Sequence, residues 1–547
     1  MSTQSENEPH EPPSTRGDAR SAAGLERAAP RGTALDAPRA NEPEPPAAEG
    51  RAPRAAPAPG PRRRPRALGF SVIACSLMML ASLIMVIWNL QEGSLENAYT
   101  GSRYATIESL VDYGTYYIDR SRYVRTIDKM KVGDHYISSK PPLLATIGAG
   151  VYWVYENLTG KTIARHEGDV VRTVSFWMGA VPHLIFLIYF YRLCRLLFRR
   201  QLSVLVAMAG ACFAYLGVGY ATLINNHSFA AALTVCGLYY AARIRLERDA
   251  KPYHWPLAGF VLGLGPAIDP PGLAIMAALS VYLFMYDRRK TLVWFLPALL
   301  PGVLLHFVLA YQITGSLKLF YFNKELKAFK GFYFKNAGGI DGLKEPKYVY
   351  AFHSLFGHHG LFSMTPLYLF GLYELVRSIK VRRLFGVSLV TAGTVLAFLG
   401  FFIFRTRNYG GWCVGMRWFV PIMPLLLLYF GLWVDRVRLS RPLWTAVLLA
   451  FGVSCFNVQD ALSCPLQYSV WHNWLENAPN RGRVGKTFNL PKPRAPRPKP
   501  KAKPPKAPKP AASPGAVPPA SPAVSPGTPP GVGAMPPSPA PVAPATP

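Results

Sequence analysis

The sequence predicts an all-α polytopic membrane protein of about eleven transmembrane helices, with a large outer first loop and a disordered tail at each end. Three observations lead there. Half of the 547 residues are hydrophobic and gather into apolar runs, many of about 20 residues, long enough to cross a hydrocarbon core of ~30 Å as helices. Short clusters of Lys and Arg separate these runs at sites that one side of a membrane can collect. Both ends of the chain are rich in Pro, Ala and charge and poor in large apolar side chains, so burial there cannot offset the loss of chain entropy.

The elements follow in order. Residues 1–66 read as a disordered Pro/Arg-rich cytoplasmic arm, 67–477 as the membrane domain, and 478–547 as a disordered Pro/Lys/Ala-rich tail with extended, polyproline-like character. The first apolar run, 68–90, follows PRRRPR and reads as an uncleaved anchor: it is too long for a signal-peptide core and lies far from the start of the chain. Further runs occupy 173–197, 202–224, 228–246, 256–268, 271–286, 291–313, 361–379, 384–404, 417–434 and 442–458. Basic clusters at 62–66, 199–200, 243–251, 288–290, 380–383 and 436–441 are then all cytoplasmic. That places the N-terminus inside, the C-terminus outside, and the protein in an inner (plasma) membrane of bacterial type.

This one-sidedness holds only if the run after Lys140 does not cross. Residues 142–158 are short and begin with Pro141-Pro142, which suits a helix start, so an interfacial or re-entrant helix on the outer side is expected; a tilted crossing helix is the alternative. The outer face then carries 91–172, the turn Asn225-Asn226-His227, the stretch 314–360 and the loop 405–417. The segment PAIDPPG, 266–272, breaks two short runs and sets Asp269 near the membrane, where a broken helix lines a cavity.

Two stretches of the first outer loop, SRYATIESLV and YISSKPPLL, resemble the start of the GT-C superfamily of membrane glycosyltransferases, in the branch of the aminoarabinose transferases and protein mannosyltransferases. GLFSMTP at 360–366 and YGGWCVGMRWFVPIMPLL at 409–426 resemble later family segments, and neither tail is covered. The resemblance implies a GT-C-like fold and transfer of a sugar, with inversion, from a polyprenyl-phosphate carrier to an acceptor on the outer face: an envelope glycan, lipid or protein. It also implies a substrate-binding set of Arg103, Tyr104, Tyr136, Lys140, Pro141 and Pro142. The family carries an acidic pair just before its RYA-like helix; this chain has Gly101-Ser102, so that base cannot be carried over. A non-catalytic lipid-linked-glycan transporter or scaffold of the same fold is the second reading.

The residue chemistry supports the first reading. An ammonium at the mouth of a proline-started helix can neutralise a phosphodiester at headgroup depth, which suits Lys140; Arg417, opening a membrane helix on the outer side, suits the same task. For each, a side chain that merely anchors a helix end is the plain alternative. Sugar transfer also needs a carboxylate base. If 102–113 is helical and ends at Gly114, Tyr104, Glu108 and Asp112 share one face. Two carboxylates one turn apart can share a divalent metal ion or raise one another's pKa, or be no more than a solvated face. Glu108, Asp112 and Asp128 are the candidate bases; Asp128 precedes the glycine turn that leads into KPPL.

His227 and the group His353, His358, His359 can hydrogen-bond sugar hydroxyls, move a proton or bind a divalent ion, though no ligand spacing is compelling. Tyr409 and Trp412 beside paired glycines fit either a sugar-stacking platform or an aromatic interface belt. The formal net charge of +30 sits largely in the tails and loops, which points to membrane lipid and positive-inside topology and away from nucleic acid. Seven cysteines without CxxC spacing read as small core hydrophobes, with Cys455 and Cys464 placed so that they could pair outside.

Overall fold

The computed structural model describes residues 65–92, 98–247, 250–318, 325–327, 346–406, 408–411, 413–438 and 440–477. The N-terminal arm and the C-terminal tail lie outside these residues, as does Trp412. The described chain is helical apart from one hairpin. Among the described residues six helices are long and apolar enough to cross a membrane: Gly69–Trp88, Glu167–Leu197, Asn226–Leu246, Arg288–Thr314, Phe385–Arg405 and Arg441–Ser463. Shorter apolar helices occupy Gln201–Ala214, His254–Ile268 and Pro270–Phe284.

Burial ranks these helices by position. In the helix Met423–Arg436 every residue from Met423 to Asp435 is buried, although it is only 14 residues long, so it is the central post of the bundle. The segment Gly69–Trp88 has only 22% of its most apolar window buried and turns Phe70, Ile73, Leu77 and Ile84 outward, as an apolar helix facing lipid would. Helix His254–Ile268 packs tightly on Leu296–Thr314 because Gly259 and Gly263 leave room for the carbonyls of Phe295 and Leu299; a Cβ at either glycine would lie 2.2 Å from that oxygen.

The first loop is a folded unit. Helix Ala98–Tyr113 ends at Gly114, whose φ of 65° is the left-handed conformation expected of a terminating glycine. Strands Lys129–Val132 and His135–Ser138 pair antiparallel around Gly133-Asp134, with Val132 opposite His135. The second strand feeds Ser139-Lys140-Pro141 into the helix Pro142–Thr159, which buries Leu143, Leu144, Gly148 and Tyr152 and leaves Trp153 and Leu158 exposed. This helix is not among the six membrane-crossing candidates. Cys455 and Cys464 are separate thiols, and the pairing left open to them by the sequence is not made.

Candidate functional site

Lys140 is positioned by the hairpin. The Ser102 hydroxyl donates to the Asp128 backbone carbonyl at 2.6 Å and meets the Ser138 hydroxyl at 2.7 Å, while Ser139 N–H donates to the same carbonyl at 3.0 Å. The helix 98–113 and the hairpin are thereby clamped together at the residue that stands where the resembling family carries acid. Pro141 and Pro142, both buried, fix the backbone beyond. Lys140 Nζ then forms an ion pair with Asp128 Oδ2 at 2.8 Å.

A second group arrives from two other helices. Asn225 caps the helix 226–246 by accepting from His227 N–H at 2.7 Å. His227 Nδ1 lies 2.7 Å from Asp269 Oδ2, and Asn226 Nδ2 donates to Asp269 Oδ1 at 2.9 Å. Asp269 sits in the break between the helices His254–Ile268 and Leu273–Phe284, in extended backbone with φ −141° and ψ 105°. Arg103 Nη2 donates to Asn226 Oδ1 at 2.5 Å, which completes a chain Arg103–Asn226–Asp269–His227. Arg417, in a single 3-10 turn after the glycines at 410, 411 and 415, is 8% exposed.

These pieces form one electrostatic unit. Burial is the main force lowering the Lys140 pKa; Asp128 opposes it, and the charges of Arg103 and Arg417 add to it. Arg103 and Arg417 also act on His227. Three cations, two carboxylates and an imidazole from five separate segments therefore meet within electrostatic range, at the end of the molecule where the helix 226–246 begins.

The other expected site residues are each engaged by a neighbour in the first loop or the helices beside it. Glu108 accepts from Ser121 Oγ at 2.5 Å and Arg122 N–H at 3.0 Å, and Asp112 accepts from Tyr152 OH at 3.1 Å. Tyr104 OH donates to the Val171 carbonyl at 3.1 Å. The Tyr104/Glu108/Asp112 face is thus a packing face that holds the first loop to the helices 142–159 and 167–197. Burial raises the pKa of both carboxyls, with their hydrogen bonds acting the other way. Each carboxylate is engaged by a different neighbour, and among the described residues no group of three His, Cys, Asp or Glu is arranged to hold a metal. Tyr136 lies under the Lys129 ammonium, 4.5 Å from ring centroid to Nζ, inside the hairpin.

His353, His358 and His359 meet His472 in a buried group: rings of His358 and His472 lie 4.9 Å apart, those of His359 and His472 5.6 Å apart, and the Nδ1 atoms of His358 and His359 are in contact. Tyr409, 3% exposed, stacks on His359 at 5.1 Å, so its ring is packed in this group and offers no sugar platform. Sequence reasoning noted Asp269 by its place in a broken apolar run, yet only the structure joins it to Arg103 and His227.

No protein-family model and no curated protein matches the sequence. Among solved structures the chain is similar to ArnT from Cupriavidus metallidurans bound to undecaprenyl phosphate, at 15% identity and TM-score 0.44, over 71% of this chain and 63% of that one. It is also similar to the archaeal oligosaccharyltransferase AglB from Archaeoglobus fulgidus in complex with an inhibitory peptide and a dolichol-phosphate, at 15% identity and TM-score 0.42, over 81% of this chain and 62% of that one. The Archaeoglobus oligosaccharyltransferase tethered to an acceptor peptide gives 16% identity and TM-score 0.46, over 80% and 61%. The chain spans less than two thirds of their length, and at such scores no residue role transfers from them.

Proposed function

We propose that this protein is an integral membrane glycosyltransferase that takes a sugar from a polyprenyl-phosphate carrier and passes it to an acceptor hydroxyl on the outer face. What supports this reading is the meeting of Arg103, Lys140 and Arg417 with the Asp269–His227 pair at one end of the bundle. The acceptor oxygen attacks the anomeric carbon while the bond from that carbon to the phosphate oxygen breaks, and a single displacement inverts the centre. The phosphate leaves with the electron pair and is held by the three cations. The hydroxyl proton passes to Nε2 of His227, whose Nδ1–H is directed at Asp269, and the carboxylate stabilises the imidazolium. Asp128 is the resting counter-ion of Lys140 and gives way when the carrier phosphate arrives.

The test uses full-length protein in nanodiscs charged with a polyprenyl-phosphate sugar, with bound carrier read by native mass spectrometry and released polyprenyl phosphate by lipid mass spectrometry after addition of cell-envelope extract. Wild type should bind and discharge the carrier. Lys140→Ala should lose binding, and Asp269→Asn should bind without discharging. Discharge by Asp269→Asn at the wild-type rate overturns the base assignment, and binding without discharge by the wild type favours the transporter or scaffold reading.

A further inference from the structure

An arginine-lined cavity lies at the opposite end of the molecule from Lys140. The helix Met423–Arg436 begins just after Arg417 and ends at Arg436, a separation of roughly 20 Å at 1.5 Å per residue. There a cavity of about 650 Å3 is lined by Arg199, Arg200, Arg377, Arg383 and Arg436. Three chain segments bring them: the end of the helix Val181–Leu197, the end of Leu367–Ile379 with the turn after it, and the end of the central helix.

The charges around this cavity are unequal. Glu374, fully buried, holds Arg436 Nη1 at 2.5 Å and lies 3.6 Å from Arg377 Nη1. Asp435 turns its oxygens to backbone, accepting from Arg199 N–H at 3.0 Å and Arg200 N–H at 2.6 Å, and so gives their guanidiniums nothing. Among the described residues no carboxylate pairs with the side chains of Arg199, Arg200 or Arg383. Positive-inside topology accounts for arginine at helix ends, and a helix dipole accounts for Arg377 and Arg436 in last turns. Topology also places Arg199, Arg200 and Arg383 on this side, but it does not require their convergence from two separate segments around one open volume.

Guanidinium offers a planar fork of donors that matches phosphate oxygens two at a time. Leu197, Leu384 and Leu432 supply an apolar wall to the same cavity, and its volume falls in the range of small-ligand sites. We propose that the cavity binds a phosphate-bearing anion, with Arg199, Arg200 and Arg383 as its principal contacts. This inference does not depend on the chemistry assigned to the Lys140 end. The ligand has two possible sources, an anionic lipid headgroup or a soluble polyphosphate, and both present the same group to the arginines.

The test places full-length protein in nanodiscs of phosphatidylcholine with or without cardiolipin and counts retained cardiolipin by native mass spectrometry; titration calorimetry with inorganic pyrophosphate in phosphatidylcholine nanodiscs forms the second arm. Retention of cardiolipin that falls about tenfold or more in the double variant Arg199→Gln/Arg383→Gln assigns a lipid headgroup. Pyrophosphate binding lost in the same variant, without cardiolipin retention, assigns a soluble ligand. Cardiolipin retained equally by wild type and variant, with no pyrophosphate binding, overturns the proposal. The pair Arg199→Lys/Arg383→Lys keeps charge without the fork and should bind at an intermediate level, which separates phosphate recognition from loss of fold.

Discussion

The two ends of the helix Met423–Arg436 both gather cations, and they meet the resulting charge in opposite ways. At the Lys140 end the lysine pairs with Asp128 at 2.8 Å, Arg103 reaches Asp269 through Asn226, and the cavity beside Lys140 is about 10 Å3. At the other end five guanidiniums face two carboxylates across about 650 Å3. The difference follows from desolvation: a buried cation is tolerable when a carboxylate sits beside it, whereas partly exposed arginines keep their water and can stand together without full neutralisation. A ligand at the first end must exchange with a partner already present. A ligand at the second needs only to displace water.

The comparison breaks first on the largest effect. Asp269→Asn removes the carboxylate that orients the His227 base and stabilises its imidazolium, and is expected to lower carrier discharge about 10²–10⁴-fold with carrier binding retained, the range for loss of general-base catalysis; a loss confined to binding would make Asp269 a structural residue. Next, Asp128→Asn removes the internal competitor for Lys140, so native mass spectrometry should show carrier retained several-fold better and discharge kept within about tenfold. A collapse of discharge as deep as that of Asp269→Asn would move the base from His227 to Asp128.

Stability sharpens the contrast between site and support. Glu108→Ala orphans the buried donor Ser121 Oγ and the half-buried Arg122 N–H and should cost about 1–3 kcal/mol in thermal or denaturant unfolding, most of it from Ser121. Glu108→Gln, which keeps an acceptor, should leave discharge per folded molecule near the wild-type level. A turnover loss in a fully folded Glu108→Gln would return that carboxylate to the site.

The histidine group gives a pH effect of definite sign. Burial lowers the pKa of His353 and His472 from 6.5 to about 4, and those of His358 and His359 well below 6.5. Folded-state values below unfolded ones mean that the contribution is present above about 6.5 and is lost as pH falls through that value toward 4. Melting temperature should therefore hold between pH 8 and 7 and decline toward pH 5, with a shallower decline in His353→Gln or His472→Gln; an unchanged slope in both would exclude the group as its source. The smallest effect is expected from Arg199→Gln/Arg383→Gln, whose discharge rate should stay within about twofold of wild type if the two ends act separately.

Much of the fold was legible because membrane burial imposes a one-dimensional signal. The proline-started helix after Lys140, the break at Asp269 and the helix end at Gly114 all lie where local chemistry places them. The stripe of Tyr104, Glu108 and Asp112 was also found, since helical periodicity puts the three on one face, but periodicity does not say what that face meets. It meets Ser121, Tyr152 and Val171, and becomes a support. His227 was legible as a candidate and Asp269 as an unusual charge, while their pairing was not: 42 residues separate them, and no local pattern encodes a contact across a helix break.

The sequence by itself determined the membrane character, the basic ends of the helices and the segments that carry polar chemistry, because these depend on composition and on periods of a few residues. Tertiary structure alone decided which carboxylates stand beside the cations, that Tyr409 is packed among histidines, and that three arginine-bearing segments enclose one cavity. Those outcomes depend on how helices distant in sequence pack, and packing is set by the shapes of both partners at once.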